Sequence, residues 1–308
     1  MDFVYAGLGL IILLLAGDAL VRGAVNLALR LGISALIVSL TVVSFGTSAP
    51  ELVISVDAVL SNSPGIALGN VVGSNIANVL LVLGVPALFA GMSFRQTETK
   101  RSYLSMLSAS VIFITVCFLG PLTLVHGLLL LAVLSLVMVD QFSIAMKQRV
   151  TEAPEGADPS MPGWRIALFL ALGLVGLPLG AEIFVDSAVS IATRFGVSET
   201  VIGLTLVALG TSLPELATTV VAAIRRQAEV ALGNVIGSNI FNILAIIGAA
   251  SLFGSIPVDP HFLSFNLWIM LGASLLLAPF VLMRRDMGRM SGVLFTALYV
   301  AYIVWVLS

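Results

Sequence analysis

The sequence predicts an all-α integral membrane protein with ten transmembrane helices, arranged as two inverted five-helix repeats. Three observations lead to this fold class: the composition, the lengths of the apolar runs and a repeat with a constant offset. Of the 308 residues, 59% are hydrophobic and 10% are charged, and the mean hydropathy is +1.14. A water-facing surface needs far more charge than this, so we expect the chain to lie in a lipid bilayer.

Ten apolar runs are long enough to cross about 30 Å of hydrocarbon at about 1.5 Å per residue. They lie at 3–29, 35–60, 66–90, 102–120, 122–146, 164–193, 200–224, 230–254, 262–283 and 290–307. The first run lacks the basic region and the cleavage site of a signal peptide, so we expect it to be a retained helix. The single cysteine, Cys117, excludes an internal disulfide and a cysteine-based metal site.

The basic residues predict the orientation. If the N-terminus lies outside and ten helices are threaded, every lysine and arginine falls on the inner side except Arg194. Cytoplasmic loops of membrane proteins carry this excess of basic residues. We therefore expect both termini outside and a cytoplasmic linker at 147–163.

Matching motifs in the two halves of the chain are separated by the same offset of 164 residues. This offset joins Gly46 to Gly210, Glu51 to Glu215, Gly69 to Gly233, Ser74 to Ser238 and Asn78 to Asn242. The expected units are residues 1–146, the linker 147–163 and residues 164–308. Because five spans is an odd number, the second unit enters the membrane from the opposite face. Inverted repeats are typical of secondary transporters, whose substrate sites lie near the bilayer midplane.

Glutamates in apolar spans are the first candidate site residues. An acidic residue at the centre of a membrane helix costs about 2.5–3.5 kcal/mol on insertion scales, and it usually faces a cavity or a partner. The stretches "SFGTSAPELVIS" and "ALGTSLPELATT" place Glu51 and Glu215 at equivalent positions. Spacings of three and four put hydroxyls on the same helical face as each glutamate. These neighbours are Ser44, Thr47, Ser48 and Ser55 in one half, and Thr211 and Ser212 in the other.

Pro50 and Pro214 are expected to break these helices at Gly46 and Gly210, because proline has no N–H and clashes with the carbonyl four residues earlier. Freed carbonyls can then point into a cavity. Carboxylate, hydroxyl and carbonyl oxygens are the ligands that hard cations such as Ca²⁺ prefer.

A second pair of segments carries amides and hydroxyls at a spacing of four, and we expect it to form the opposite wall. The two stripes are Asn70, Ser74, Asn78 and Asn234, Ser238, Asn242. Structural alternatives remain open: helix packing explains the pairs Gly69–Gly73 and Gly233–Gly237 equally well. Interhelical hydrogen bonding is the alternative for Asn70, Asn75, Asn234 and Asn239. For the glutamates the alternative is an ion pair, but no basic residue lies at matching depth in their spans. Asp18 and Arg22, four residues apart, are expected to pair with each other.

The motifs "GTSAPE" and "GTSLPE", followed by "GNVVGSNIAN" and "GNVIGSNIFN", resemble the paired repeats of the sodium/calcium exchanger family, within the wider cation/calcium antiporters. The resemblance covers essentially the whole chain and points to a prokaryotic type without a regulatory loop, in the plasma (inner) membrane. It implies Glu51 and Glu215 as central Ca²⁺ ligands, with carbonyls of Thr47 and Thr211. It also implies that the first and sixth helices slide across the other eight. Sodium sites would add Ser48, Ser212, Ser74, Ser238 and carbonyls near Ser44 and Ala208.

This sequence departs from the family pattern at one point. The exchangers that it resembles have asparagine at one of the positions matched by Asn78 and Asn242 and aspartate at the other, whereas both are asparagine here. Two carboxylates neutralise one Ca²⁺ but not three Na⁺. The proton-coupled branch carries an acidic residue inside "GNxxE", which "GNVVGSN" lacks, and this favours sodium.

The sequence therefore predicts an antiporter that exchanges Ca²⁺ for Na⁺, with a Ca²⁺/H⁺ or other cation/proton antiporter as the alternative. An intramembrane hydrolase would need an aspartyl dyad or a Ser–His pair, and neither pattern is visible in the spans. A channel filter usually needs a ring of subunits. We expect no enzyme activity, no cofactor, no nucleic-acid partner and no obligatory protein partner beyond the lipid bilayer.

Overall fold

The computed structural model describes residues 1–94, 99–147, 156–196 and 208–307. Apart from loops and two isolated antiparallel bridges, the described chain is helical. The helices are α1 (Asp2–Leu31), α2 (Ala35–Thr47), α3 (Ala49–Leu60), α4 (Pro64–Phe89), α5 (Lys100–Phe118), α6 (Leu124–Lys147), α7 (Gly163–Arg194), α8 (Leu213–Ile224), α9 (Ala228–Phe253), α10 (Phe262–Leu282) and α11 (Arg289–Leu307).

These helices confirm the prediction of an all-α membrane protein. Within the described residues, eight helices are long and apolar enough to cross a bilayer, or nine if the bent pair α2 and α3 counts as one span. The remaining predicted span, 200–224, lies partly outside the described residues. Its described part contains the short helical turn Ala208–Gly210 and α8, an apolar helix of 12 residues, so the count of ten stays a prediction.

The two halves of the chain repeat their backbone geometry at the offset of 164 residues. Helix α3 and helix α8 begin and end at equivalent positions. Ser48 and Ser212, which precede them, share nearly the same backbone angles, φ −86° and −87°. π-Helical turns follow at Asn78–Val82 and Phe241–Ile246. The repeat in the sequence is therefore a repeat in structure.

Helices α4 and α9 form the centre of the molecule. Of their most apolar windows, 78% and 83% are buried, against 33% for α1 and 22% for α7. Helices α1 and α7 pack along each other at the periphery through glycines. A Cβ on Gly9 would lie 2.7 Å from the Phe184 nitrogen, and one on Gly180 would lie 2.9 Å from the Leu13 nitrogen. The two backbones are thus in direct contact.

The linker returns along the C-terminal end of α1. The backbone N–H of Asp158 donates a 2.8 Å hydrogen bond to Oδ1 of Asn26, and Arg30 lies against Gly163 at the start of α7. This side of the molecule, with the C-terminal ends of α1 and α8, is called the basic side below.

Candidate functional site

The chain bends between α2 and α3, where the candidate site begins. The two helices meet at 44° across Ser48. Pro50 lies in the first turn of α3, and Pro214 lies in the first turn of α8. The break was predicted at Gly46, and the structure has it two residues later, at Ser48. The physical reason is that proline is tolerated in the first turn of a helix, where an N–H would have no intrahelical partner.

Two buried carboxylates lie at the start of α3 and α8. Glu51 is 1% exposed and Glu215 is 0% exposed. The Ser48 hydroxyl donates a 3.1 Å hydrogen bond to Oε1 of Glu215, and Ser238 donates a longer one of 3.4 Å to the same oxygen. The side chain of Thr211 interacts with the Glu51 carboxylate, and the two carboxylates interact electrostatically. Each half of the chain thus supplies one carboxylate and part of the environment of the other.

Several buried polar atoms in the motif segments have no hydrogen-bond partner in the described chain. An unpaired buried polar group costs about 1–3 kcal/mol, so such atoms are available to an ion or to water. Among the described residues of these segments, the atoms are Glu51 Oε2, Glu215 Oε2, Asn75 Oδ1, Asn78 Oδ1, Ser212 Oγ, and both Oδ1 and Nδ2 of Asn242.

Asn70 and Asn234 form hydrogen bonds to the two helices that carry the glutamates. The amide of Asn70 donates to the backbone carbonyl of Glu51 at 3.3 Å and to Ser55 at 3.0 Å. Its equivalent, Asn234, donates to the Glu215 carbonyl at 3.4 Å and to Thr219 at 3.2 Å. Both asparagines therefore make the interhelical hydrogen bonds that were one alternative from the sequence.

Ser44 and Thr47, at the end of α2, form hydrogen bonds to Asn234 of α9. The Ser44 hydroxyl donates to the backbone carbonyl of Asn234 at 2.9 Å, and the Thr47 hydroxyl donates to Asn234 Oδ1 at 3.3 Å. These bonds join the first half of the chain to the second. The glycines beside Asn234 permit the close approach, since a Cβ on Gly233 would lie 2.6 Å from the Leu36 carbonyl oxygen.

Asn75 and Asn239 form a reciprocal contact between the halves. Asn75 Nδ2 donates to the Asn239 carbonyl at 3.1 Å, and Asn239 Nδ2 donates to the Asn75 carbonyl at 3.4 Å. Asn78 Nδ2 also donates to Asn239 Oδ1 at 3.1 Å. The Nδ2 of Asn78 is therefore used in this contact, whereas its Oδ1 has no partner in the described chain.

Eleven of the twelve predicted site residues are buried in the structure. They are Ser44, Thr47, Ser48, Glu51, Ser74, Asn78, Thr211, Ser212, Glu215, Ser238 and Asn242. The twelfth, Ala208, begins a short helical turn, Ala208–Gly210.

The salt bridges of the described chain do not involve the two glutamates. They join arginines to Asp2, Asp18 and Asp140. The described residues also contain no cluster of three or more His, Cys, Asp or Glu side chains. A cation at this centre would therefore meet two carboxylates and neutral oxygens.

A cavity of about 310 Å³ lies beside the break, on the side opposite the basic side. It runs between α3, α7 and the start of α8. Its lining includes Pro50, Pro214, Thr211, Glu182 and Asp186. The proline turns that carry the two glutamates thus border this space, and α7 contributes two acidic side chains to it.

Asp18 has two arginine partners. Its pairing with Arg22 is confirmed, with Nε to Oδ2 at 2.9 Å. Its second partner, Arg225 at the end of α8, was not predicted. The two residues lie 207 positions apart, and the only signal in the sequence is that Arg225 and Arg22, the other partner of Asp18, were both placed on the inner side.

Comparisons with known proteins agree with this architecture. The family model "Sodium/calcium exchanger protein" matches residues 1–142 and 165–308. The sodium/calcium exchanger MaX1 of Methanosarcina acetivorans is 34% identical, covering 99% of this chain and 98% of its own. The putative antiporter CaxA of Alkalimonas amylolytica is 35% identical, with 93% and 91% covered.

A solved structure of the sodium-calcium exchanger NCX_Mj, soaked with zero Na⁺ and Ca²⁺, superposes with a TM-score of 0.86. It is 33% identical and covers 99% of this chain and 98% of that one. At this identity and coverage the likeness extends beyond the fold. The chain belongs to the sodium/calcium exchanger protein family.

Proposed function

We propose that the chain exchanges Ca²⁺ for Na⁺ across the plasma membrane by alternating access, with both termini outside. Membership of the sodium/calcium exchanger protein family already makes it a membrane antiporter of cations and Ca²⁺ rather than an enzyme. Glu51 and Glu215 are the ligands that the two ions share. Ca²⁺ occupies the centre alone, or Na⁺ ions occupy it, but never both sets together.

One observation carries the proposal. Two buried carboxylates, one from each half, each keep an oxygen without a partner, and their described surroundings offer no basic side chain. Two isolated anions in a medium of low dielectric constant are strongly unfavourable. A bound Ca²⁺ cancels both charges and is coordinated by the oxygens that have no partner, and a set of Na⁺ ions does the same.

Obligatory exchange follows from this charge balance. An empty site would carry two unpaired charges through the change of access, and that step is strongly disfavoured. A loaded site is nearly neutral, so the change of access is more favourable when ions are bound. Net movement of Ca²⁺ in one direction therefore requires the counter-ion to return in the other.

Neutral ligands complete the centre. Ser48, Ser212, Ser74 and Ser238 supply hydroxyls, and Asn78 and Asn242 supply amide oxygens. Carbonyls of Thr47, Thr211, Ser44 and Ala208 complete the proposed set. Because Asn78 and Asn242 carry no charge, the site balances two monovalent cations, and a third Na⁺ would leave it with a net positive charge.

The experiment is ion flux in vesicles that contain the purified protein. Vesicles loaded with Na⁺ are diluted into sodium-free buffer with ⁴⁵Ca²⁺, and uptake is followed at equal pH on both sides. The proposal expects uptake that depends on the Na⁺ gradient and stops without it. Uptake that instead follows a pH gradient in sodium-free buffer identifies the proton antiporter and overturns sodium coupling.

Glu51→Gln tests the site, and Asp57→Asn is its matched control. Both residues are acidic and lie on α3, but Asp57 is exposed whereas Glu51 is buried. The proposal expects loss of exchange in the first variant and near-normal exchange in the second. Normal exchange by Glu51→Gln removes that carboxylate from the site.

A further inference from the structure

The two faces of the protein are closed to different extents. On the basic side, the α1 backbone lies directly on α8, and a Cβ on Gly17 would lie 3.2 Å from the carbonyl oxygen of Ala217. Ala217 and Thr218 are 7% and 0% exposed. Their equivalents on the other face, Val53 and Ile54, are 67% and 38% exposed. The basic side is therefore closed in this structure, and the opposite side is open.

The equivalent of Gly17 in the second half is Ala181, which lines the open cavity together with Ile54. An inverted repeat reaches its opposite-facing state when the two halves exchange conformations. In that state Ala181 approaches α3, and Gly17 separates from α8. Any bond between α1 and α8 on the basic side must then break.

One ion pair crosses the contact that must open. Asp18, next to Gly17, pairs with Arg225, the residue that ends α8. Both side chains are partly buried, at 29% and 35% exposure. The hydrogen bond between Asn26 and Asp158, in contrast, ties α1 to the linker that enters α7, and α7 packs along α1. Among the side-chain hydrogen bonds and ion pairs of the described residues, only the Asp18–Arg225 pair joins α1 to α8.

The opposite face has an equivalent of the acidic member of this pair but none of the basic member. The equivalent of Asp18 is Glu182, an exposed acid on the cavity wall. The equivalent of Arg225 is Ser61, which ends α3 and is exposed. Among the described residues Glu182 has no salt bridge. Closing this face therefore forms no ion pair to replace the one that is lost on the basic side.

We propose that Asp18 and Arg225 are positioning residues that hold the basic side closed, so that the two access states of the exchanger differ in free energy. The pair acts on the equilibrium between the states and does not touch the ions. This inference rests on the alternating access proposed above. It predicts that removal of the Asp18–Arg225 pair increases the population of the state open to the basic side. An added ion pair between an arginine at position 61 and Glu182 should increase the same population.

The test is the reactivity of a cysteine under the closed face. Thr218→Cys places a thiol where the wild-type side chain is 0% exposed, and a membrane-impermeant thiol reagent is added from the basic side. When opening is rare, the labelling rate is proportional to the open population. The assay is run with equal, saturating Ca²⁺ on both sides, because the loaded site changes access readily whereas the empty site does not.

In the Thr218→Cys background, Arg225→Gln is expected to raise the labelling rate about fivefold, which corresponds to about 1 kcal/mol for a partly exposed pair. Arg225→Lys keeps the pair and should label at nearly the parent rate. Ser61→Arg should also raise the rate, because it provides Glu182 with a partner when the opposite face closes. Adding Glu182→Gln to Ser61→Arg should return the rate to that of the parent.

Cys117 serves as an internal control because it is 1% exposed in α5 and reports general loosening of the fold. Its reactivity should stay the same in every variant. The inference is overturned if Arg225→Gln does not accelerate labelling, including the case of no reaction at all, or if Arg225→Lys accelerates it equally. Sodium-driven flux of the wild type is measured separately, so a negative result for the Asp18–Arg225 pair does not count against the proposed exchange.

Discussion

The hydroxyl of Ser48 donates a 3.1 Å hydrogen bond to the carboxylate of Glu215. Ser48 belongs to the break in the first half of the chain, and Glu215 opens a helix of the second half. Ser48 also lies one helical turn before Glu51, so the bond brings the two carboxylates into one site. This contact distinguishes a shared centre from two separate acidic sites, and the first prediction depends on it.

Replacing Glu215 by glutamine is expected to lower Ca²⁺ exchange by at least about a hundredfold. Removing one member of a buried charged set leaves the remaining charges uncompensated, which costs about 3–5 kcal/mol. Initial rates of ⁴⁵Ca²⁺ uptake in vesicles measure the effect. A glutamine variant that keeps more than a tenth of the wild-type rate would argue against a shared divalent site.

Asn242→Asp is expected to make exchange dependent on pH. Both polar atoms of Asn242 are buried and without partners in the described chain, so a third carboxylate there must take up a proton or another cation. At low pH the added group is protonated and the variant should behave like the wild type. At high pH it is charged, and the charge moved per Ca²⁺ should change.

The measurement for this variant is the reversal potential of exchange at several pH values, with defined Na⁺ and Ca²⁺ gradients. Wild-type protein at the same pH values is the control. A reversal potential that matches the wild type throughout would mean that position 242 does not influence the cations that are carried.

Asn239→Ala should destabilise the protein more than Asn75→Ala does, by about 0.6 kcal/mol. Asn239 makes two side-chain hydrogen bonds, one as donor to the Asn75 carbonyl and one as acceptor from Asn78. Asn75 makes one, because its own Oδ1 has no partner. Hydrogen bonds between membrane helices contribute about 0.6 kcal/mol each on average. Thermal unfolding in detergent compares the two, and the reverse order would refute the bonding pattern.

Gly233→Ala should lower stability by about 1–3 kcal/mol, because its Cβ would lie 2.6 Å from the Leu36 carbonyl oxygen and force α2 and α9 apart. Gly272→Ala in α10 is the matched control. A Cβ there meets nothing within 4 Å, and alanine is the better helix former by about 1 kcal/mol. The two variants should therefore shift the unfolding temperature in opposite directions.

Hydropathy and the offset of 164 residues were sufficient to predict the described spans. The ends of these helices lie within two residues of the predicted runs, because a bilayer imposes both the length and the apolar character of a spanning helix. The same offset aligned Glu51 with Glu215 and Asn78 with Asn242. It could do so because both halves keep the spacing that places these side chains on the inward face.

Individual side-chain contacts between distant segments could not be predicted from the sequence. The pairing of Asp18 with Arg225 has no counterpart at Glu182 and Ser61, so the repeat offers no second example of it. The bend at Ser48 was placed at Gly46 because proline was expected to end the preceding helix. In the structure Pro50 instead starts the next one.

The reciprocal bond between Asn75 and Asn239 is isologous, the kind of contact that two identical chains make across a twofold axis. Each amide donates to the main chain of the other half, and the main-chain acceptor does not depend on residue type. A substitution at either position therefore leaves the acceptor on its own side intact. The contact tolerates divergence of the two halves one side chain at a time, while the axis that relates them stays in place.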